Sequence, residues 1–253
     1  MTDAELAAHI AATAGRLLLE LRDCGLFQGE ALGGAGDRVA NALIVEALRA
    51  ARPEDAILSE EERDDRARLS RRRVWIVDPL DGTREYSERR DDWAVHVALA
   101  VDGRAALGAV ALPAIGVTLS SDAPPPLSAP PERLRMLVSR TRPAPEALAV
   151  AEALGAELVA MGSAGAKAMA VVLGRADIYL HTGGQHEWDN CAPVAVAAAA
   201  GLHVSRADGS PLTYNNADTW LPDLLICRKE EAEEVLRLVR AIDAGDKGWS
   251  AEG

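Results

Sequence analysis

The run Val74-Trp75-Ile76-Val77 reads as a buried strand, and it finishes on acid: Asp78 follows directly, then Pro79, a second carboxylate at Asp81, Gly82 and the hydroxyl of Thr83. Two carboxylates held close repel, and desolvation at the end of a buried strand strengthens the repulsion. The chain must therefore adopt a fold that places positive charge between them. No other stretch constrains the architecture as tightly.

The elements around this strand follow from pattern. Thr2 and Glu5 have capping-box spacing ahead of an Ala/Leu-rich stretch, which predicts a helix to about Leu21. A second helix is expected from near Asp37, with Val39, Leu43, Ile44 and Leu48 on one face and Pro53 beyond its end. Ala56-Ile57-Leu58 reads as a short strand running into SEEERDD. Residues 93–99, 105–112 and a segment near Val117 read as a β-meander turned at Asp102-Gly103. The segment PPPLSAPP, 124–131, is the clearest breaker, because proline neither donates to a ladder nor continues a helix. Beyond it strands near 134–138, 158 and 177–180 alternate with helices over 145–154, 164–173 and 189–200, and a last strand and helix follow Pro222. An α+β half, 1–128, thus precedes an α/β half, 129–253.

Three acidic points stand where predicted elements end: Glu60 with Glu61, Asp78 with Asp81, and Asp189. Carboxylates converging from strand ends suit a hard divalent cation such as Mg²⁺. Taken singly, residues 60–65 also fit a solvated acidic turn and Asp189 a helix N-cap. An EF-hand with Gly82 at its sixth position would need side-chain oxygens at Val77 and Pro79, which have none. An aspartyl-phosphate enzyme of the haloacid dehalogenase kind spaces its aspartates two apart, not three. Metal-assisted hydrolysis of a phosphate ester remains.

Composition limits the partners. A formal net charge of -12 argues against nucleic acid or an anionic membrane bound through a broad basic face. The opening MTDAELAAHI lacks the order of a signal peptide, no run of 18 apolar residues occurs, and a cytoplasmic protein is expected. Cys24, Cys191 and Cys227 are too few and too scattered for a disulfide framework, and each reads as a small buried hydrophobe. His96, His186 and His203 have no zinc-ligand spacing and read as structural, and Arg71, Arg72 and Arg73 as a solvated turn.

WIVDPLDGT, the upstream LSEE and the downstream GSAGAKAM, GRAD and EWD together resemble the inositol monophosphatase superfamily of metal-dependent, lithium-sensitive phosphatases, in order and spacing from about Asp37 to Asp189. DGTREY with GRADIYL and EWD is similar to the CysQ-type 3′(2′),5′-bisphosphate nucleotidases, whereas inositol phosphatases more usually read Asp-Gly-Thr-Thr-Asn. The resemblance implies an α/β/α/β/α layered sandwich. It also implies hydrolysis of the 3′-phosphate of 3′-phosphoadenosine 5′-phosphate, with 3′-phosphoadenosine 5′-phosphosulfate as a second substrate and a place in sulfate assimilation. Two or three Mg²⁺ ions per site are implied, with Glu60, Asp78, the Leu80 carbonyl, Asp81 and Asp189 as ligands. Glu61 would neighbour the ligands, and Thr83 would hold the attacking water with Asp37 as its partner. The GGAG before Asp37 departs from relatives that carry threonine or serine there, and reads as an adaptable loop.

Several groups are candidates for substrate. The Gly82 and Thr83 amides can donate to phosphate if they open a helix. Arg84 suits a second phosphate, or pairs with Glu85 or Glu88 as a surface arginine. By resemblance, Lys167 lies at a nucleotide-site position, Ser163 and Gly165 line that site with their amides, and Ser139 and Arg140 lie near the nucleotide, with Arg142 where relatives have histidine. Thr182 stands where inositol monophosphatases carry a glutamate for inositol hydroxyls. The alternatives are an inositol or fructose-bisphosphate phosphatase, or a metal-dependent regulator that keeps the fold without turnover. The expected partner is a small bisphosphorylated nucleotide, with a homodimer left open.

Overall fold

The computed structural model describes residues 1–64 and 66–244. Helices α1 (Asp3–Asp23) and α2 (Gly29–Ala51) lead into a five-stranded sheet in the order β1 (Ala56–Ser59), β2 (Arg73–Asp81), β3 (Ala94–Val101), β4 (Arg104–Leu112) and β5 (Val117–Ser120). Only β1 and β2 are parallel, and short helix α3 (Thr83–Ser87) follows β2. After the proline-rich segment come β6 (Arg135–Ser139), α4 (Pro145–Ala153), β7 (Glu157–Met161), α5 (Ala164–Val172), β8 (Ile178–His181), β9 (Gln185–His186) and α6 (Glu187–Ala199). β10 (His203–Ser205), β11 (Trp220–Leu221), β12 (Leu224–Cys227) and α7 (Lys229–Asp243) complete the fold. The second sheet runs β10-β12-β8-β6-β7, and β9 pairs with β11 apart from it.

The layers are α1 with α2, the first sheet, α5 with α6, the second sheet, and α4 with α7. This is the expected α/β/α/β/α sandwich. Each layer exists because the next covers its apolar face. Leu6, Ile10, Leu18, Ile44 and Leu48 close one side of the first sheet over Trp75, Val77, Val95 and Val97. Its other side meets Met169, Val171, Ala192 and Val196, so α5 and α6 are apolar all round and sit at the centre. The Thr2–Glu5 capping box is present, and Arg73 ties α1 to the sheet by pairing with Asp3 and Asp55 at 2.8 Å each, so it is a strut and not a solvated turn.

β2 does not stop at Val77. It continues to Asp81 through a bulge, since Asp78 faces His96 and Asp81 faces Ala94: three residues on one strand span two on the other. Proline suits a bulge because no ladder donor is lost there. The bulge also solves a problem of parity. In a regular strand residues three apart point to opposite faces, and one inserted residue brings both aspartates to the same side.

Two sequence expectations need correction. The GGAG segment is no adaptable loop: α2 starts at Gly29 and is helical throughout it. Its glycines permit close approach, because a Cβ on Gly33 would lie 2.7 Å from both Thr83 Cγ2 and Ser87 Oγ, and one on Gly36 would lie 2.9 Å from Leu80 Cδ2. Packing against the Asp78–Thr83 turn therefore replaces helix propensity as the reason for glycine. Cys24, expected in the core, is exposed at the end of α1, whereas Cys191 and Cys227 are buried.

These glycines make a paired test. Gly36→Ala should destabilise by about 1 to 3 kcal/mol through overpacking against Leu80, Tyr86 and Leu18. Gly34→Ala meets only the flexible Arg38 guanidinium and should stabilise by up to about 1 kcal/mol from helix propensity. Chemical denaturation of both variants measures the contrast, and a destabilised Gly34→Ala of equal size would contradict it.

Candidate active site

The two aspartates at the end of β2 meet Asp189 of α6, and one oxygen from each of the three lies within 4.8 Å of the others. Asp189 is the third residue of α6, where its carboxylate accepts from the His186 N–H and completes the cap of the helix. Glu60 follows β1, held by its N–H to the Val77 carbonyl at 3.2 Å, and its carboxyl shares a hydrogen bond with Asp78. The parallel pairing of β1 with β2 thus sets Glu60 beside Asp78, and the central helix brings Asp189 from the other side of the proline-rich segment.

The two β2 aspartates have opposite surroundings. Asp81 accepts from the Gly165 N–H at 2.6 Å, the Ala164 N–H at 3.2 Å and the Ser163 hydroxyl, and His96 Nε2 lies 3.3 Å away. Burial alone would raise its pKa, but His96, Ser163 and the start of α5 outweigh burial and hold it below the usual carboxylate value. Asp78 receives only the Leu80 N–H, at 3.1 Å. Burial pushes its pKa well up, followed by the charges of Glu60, Asp81 and Asp189. Glu60 is pushed up to about 7 by lost hydration within the cleft and by Asp189, although its outer side is exposed. Asp189 is pushed up to about 6 by burial and Asp81.

The protein therefore holds its closest counter-charge against Asp81: among the described residues no lysine or arginine forms an ion pair with Glu60, Asp78 or Asp189. A set of unpaired, converging carboxylate oxygens fits a hard divalent cation.

Beside this cluster Thr83 opens α3. Its hydroxyl lies 3.2 Å from Asp37 Oδ1 and 3.1 Å from the Leu80 carbonyl, with one proton to give. Burial and then the charge of Glu61 push Asp37 up to about 6. Glu61 itself is exposed and acts on Asp37, with its N–H near Ser59 Oγ. Gly82 caps α3 with φ +88°, where any side chain would be strained, and a Cβ there would lie 3.0 Å from the Ser163 Cβ.

A cleft of about 670 Å³ opens from Asp189, lined by Arg84, Glu85, Ser139, Arg142, Lys167 and Tyr179 among others. Lys167 is buried, its Nζ donating to the Gly162 carbonyl and lying 5.3 Å from the centre of the Tyr179 ring, and burial lowers its pKa. Ser139 Oγ accepts from the Arg142 N–H at 3.2 Å. Arg84 is exposed and paired with Glu88 at 2.9 Å. Ser163 and Gly165 are not free to line a nucleotide with their amides: the Ser163 N–H donates to the Asp92 carbonyl and the Gly165 N–H to Asp81. Their work is to hold a metal-ligand candidate. Thr182, expected to leave a neutral hydroxyl, donates to Glu146 at 2.6 Å and so brings a carboxylate with it.

His96, read from the sequence as structural, and Asp92, not singled out there, both serve the site. His96 is fully buried, with Nδ1 3.0 Å from the Trp188 carbonyl and Nε2 toward Asp81, so both nitrogens face acceptors and its pKa is raised. A histidine inside the apolar run AVHVALAV was the available signal. Asp92 accepts from the Gly162 N–H at 2.7 Å and pairs with Arg90, fixing the turn before α5.

The chain is similar to known proteins. The inositol monophosphatase family model matches residues 27–244. The chain is 52% identical to the "3'-phosphoadenosine 5'-phosphate phosphatase" of Mycobacterium leprae, over 96% of this chain and 95% of that one. It is 54% identical to the Mycobacterium tuberculosis protein of the same name, over 88% of each. It is similar in structure to CysQ from Bacteroides thetaiotaomicron, described as a bacterial member of the inositol monophosphatase family, with a TM-score of 0.78 at 27% identity over 90% of this chain and 97% of that one.

The raised acids give a pH prediction. Folded-state values near 6 to 7 exceed unfolded ones near 4, so these groups take up protons on folding. Their contribution is fully present below about pH 4 and is lost as pH rises through about 6 to 7. Carrying Asp189 from 3.8 to about 6 corresponds to about 3 kcal/mol. The rise in Tm caused by adding Mg²⁺ to chelator-treated protein should be larger at pH 8 than at pH 5.5, by roughly 5 to 10 °C. His181 and His203 titrate the other way but cancel in this difference. Equal shifts at both pH values would contradict the assigned cluster.

Proposed function

The chain belongs to the inositol monophosphatase family, and on that premise we propose that it is a Mg²⁺-dependent phosphatase removing the 3′-phosphate of 3′-phosphoadenosine 5′-phosphate to leave AMP and phosphate. The observation that carries the reading is the convergence of Asp78, Asp81 and Asp189 beside the Thr83–Asp37 pair. The relatives' names supply the substrate. The same reading extends to 3′-phosphoadenosine 5′-phosphosulfate, which differs only at the end remote from the attacked phosphate, and to a cytoplasmic role in sulfate assimilation.

Glu60, Asp78, the Leu80 carbonyl, Asp81 and Asp189 would hold the two or three ions. Bound there, these would neutralise the attacked phosphate and raise the acidity of water. The chain's own residues do the rest. Thr83 Oγ1 accepts a proton from the attacking water as its own proton moves toward Asp37 Oδ1. Asp37, near 6, is a carboxylate at neutral pH and able to accept it. Lys167, Arg142 and Arg84 place positive charge along the cleft, where a second phosphate would lie, in a protein of net charge -12.

Phosphate release from 3′-phosphoadenosine 5′-phosphate, inositol 1-phosphate and fructose 1,6-bisphosphate tests this. We expect kcat/KM to favour the nucleotide by about tenfold to several hundredfold, the range set by one or two polar contacts that a competitor cannot make. Comparable turnover of inositol 1-phosphate would replace the reading with a broader sugar phosphatase. The proton path has its own signature. The pH profile of kcat/KM should show an acid limb at or below about 6, because a bound cation can only lower the Asp37 value, and Asp37→Asn should cost at least about a hundredfold in rate. A profile whose acid limb survives that substitution would remove Asp37 from the path.

A further inference from the structure

At the mouth of the cleft a single carboxylate holds two arginines. Arg84 Nε donates to Glu88 Oε1 at 2.9 Å, and Arg140 Nη2, from the residue after β6, donates to Glu88 Oε2 at 2.9 Å. Arg140 is itself fixed, because the same Nη2 donates at 2.8 Å to Glu85, which is buried. Glu85 packs against Gly162 so closely that a Cβ there would lie 2.2 Å from its Cδ. Glu88 is thus tethered from the Arg140 side. Arg84, whose side chain is 65% exposed, is bound through Nε alone and has further N–H groups to offer. Among the described residues the Arg142 guanidinium has no ion-pair or hydrogen-bond partner, so Arg84 is the cleft arginine that a protein carboxylate already engages.

We propose that Glu88 is a specificity-determining residue: on Arg84 it occupies the place that the second phosphate of the substrate takes. The inference rests on the reading of Arg84 as a phosphate ligand. An exposed Arg–Glu pair one turn apart is weak, and a phosphate dianion meeting a guanidinium with two parallel bonds is a stronger partner. Exchange therefore favours a ligand that brings a phosphate to Arg84. Arg140 keeps the displaced carboxylate nearby, so repulsion between Glu88 and the incoming phosphate persists in the complex. A ligand with one phosphate, engaged at the acidic cluster, leaves the Arg84–Glu88 pair closed. Glu88 lowers affinity for every anion at Arg84 and leaves the remainder of the cleft unaffected, so it sets, by narrowing it, the margin by which a ligand with two phosphates outbinds one with a single phosphate.

Glu88→Gln tests this with a gain that misfolding cannot imitate. Gln retains an acceptor for Arg140 and loses the charge. At low ionic strength the KM for 3′-phosphoadenosine 5′-phosphate should fall about threefold to tenfold, with the change shrinking at high salt. AMP, which keeps the 5′-phosphate, should tighten by a similar factor when its binding is followed by calorimetry in Mg²⁺. Inositol 1-phosphate should change by less than about twofold. In an Arg84→Ala background the gain should vanish. Unchanged or weaker affinity for both nucleotides in Glu88→Gln, or the same gain without Arg84, would overturn the proposal. Poor wild-type selectivity for the bisphosphate would instead overturn the substrate reading, while the AMP comparison would still report on Glu88.

Discussion

Mutual repulsion among buried carboxylates is the interaction on which the rest of this structure depends. Asp78 and Asp81 are both buried, and Glu60 and Asp189 approach them from β1 and α6. Separate features of the fold make the crowding tolerable. The start of α5, Ser163 and His96 neutralise Asp81 specifically. A shared hydrogen bond with Glu60 relieves Asp78. The bulge at Pro79 turns both aspartates to one side, and the glycines of α2 let a helix press against the turn so that it cannot relax outward. Each of these restrains acids that would otherwise repel one another, and the local conflict persists because the site requires it.

Much of this was legible in the chain. Strand-terminal acids, the 124–131 breaker and the alternation after it gave the order of strands and helices, since each depends on short-range rules that tertiary contacts reinforce, whereas the layered architecture followed from the family resemblance. Thr83 beside Asp37 was also foreseen. What escaped depended on contacts distant in sequence. The GGAG glycines signalled flexibility because local propensity cannot report a neighbour 50 residues away. The amides of Ser163 and Gly165 pointed to a ligand because nothing local showed that Asp81 would accept them. His96 lay within a strand pattern that any apolar residue would satisfy, and Asp92 within a charged turn.

The basic residues follow the same logic in reverse. Arg90 is held by Asp92, Arg140 by Glu85 and Glu88, and Arg84 by Glu88, while Lys167 rests on a carbonyl and an aromatic face. An acidic protein thus holds Arg84, Arg140 and Lys167 in place with its own groups. Ordering them in advance limits the side-chain entropy lost when a phosphate arrives.

The site is stitched from both sides of the proline-rich segment. Glu60, Asp78 and Asp81 come before it, and Ser163 and Asp189 after it. A cation held by Glu60, Asp78, Asp81 and Asp189 would therefore act as a tether between two stretches of chain that each build their own sheet. Its binding energy becomes part of the free energy that docks one sheet's layers against the other's. In such a molecule the metal content of the surroundings sets the tightness of the central layer as well as the rate of turnover.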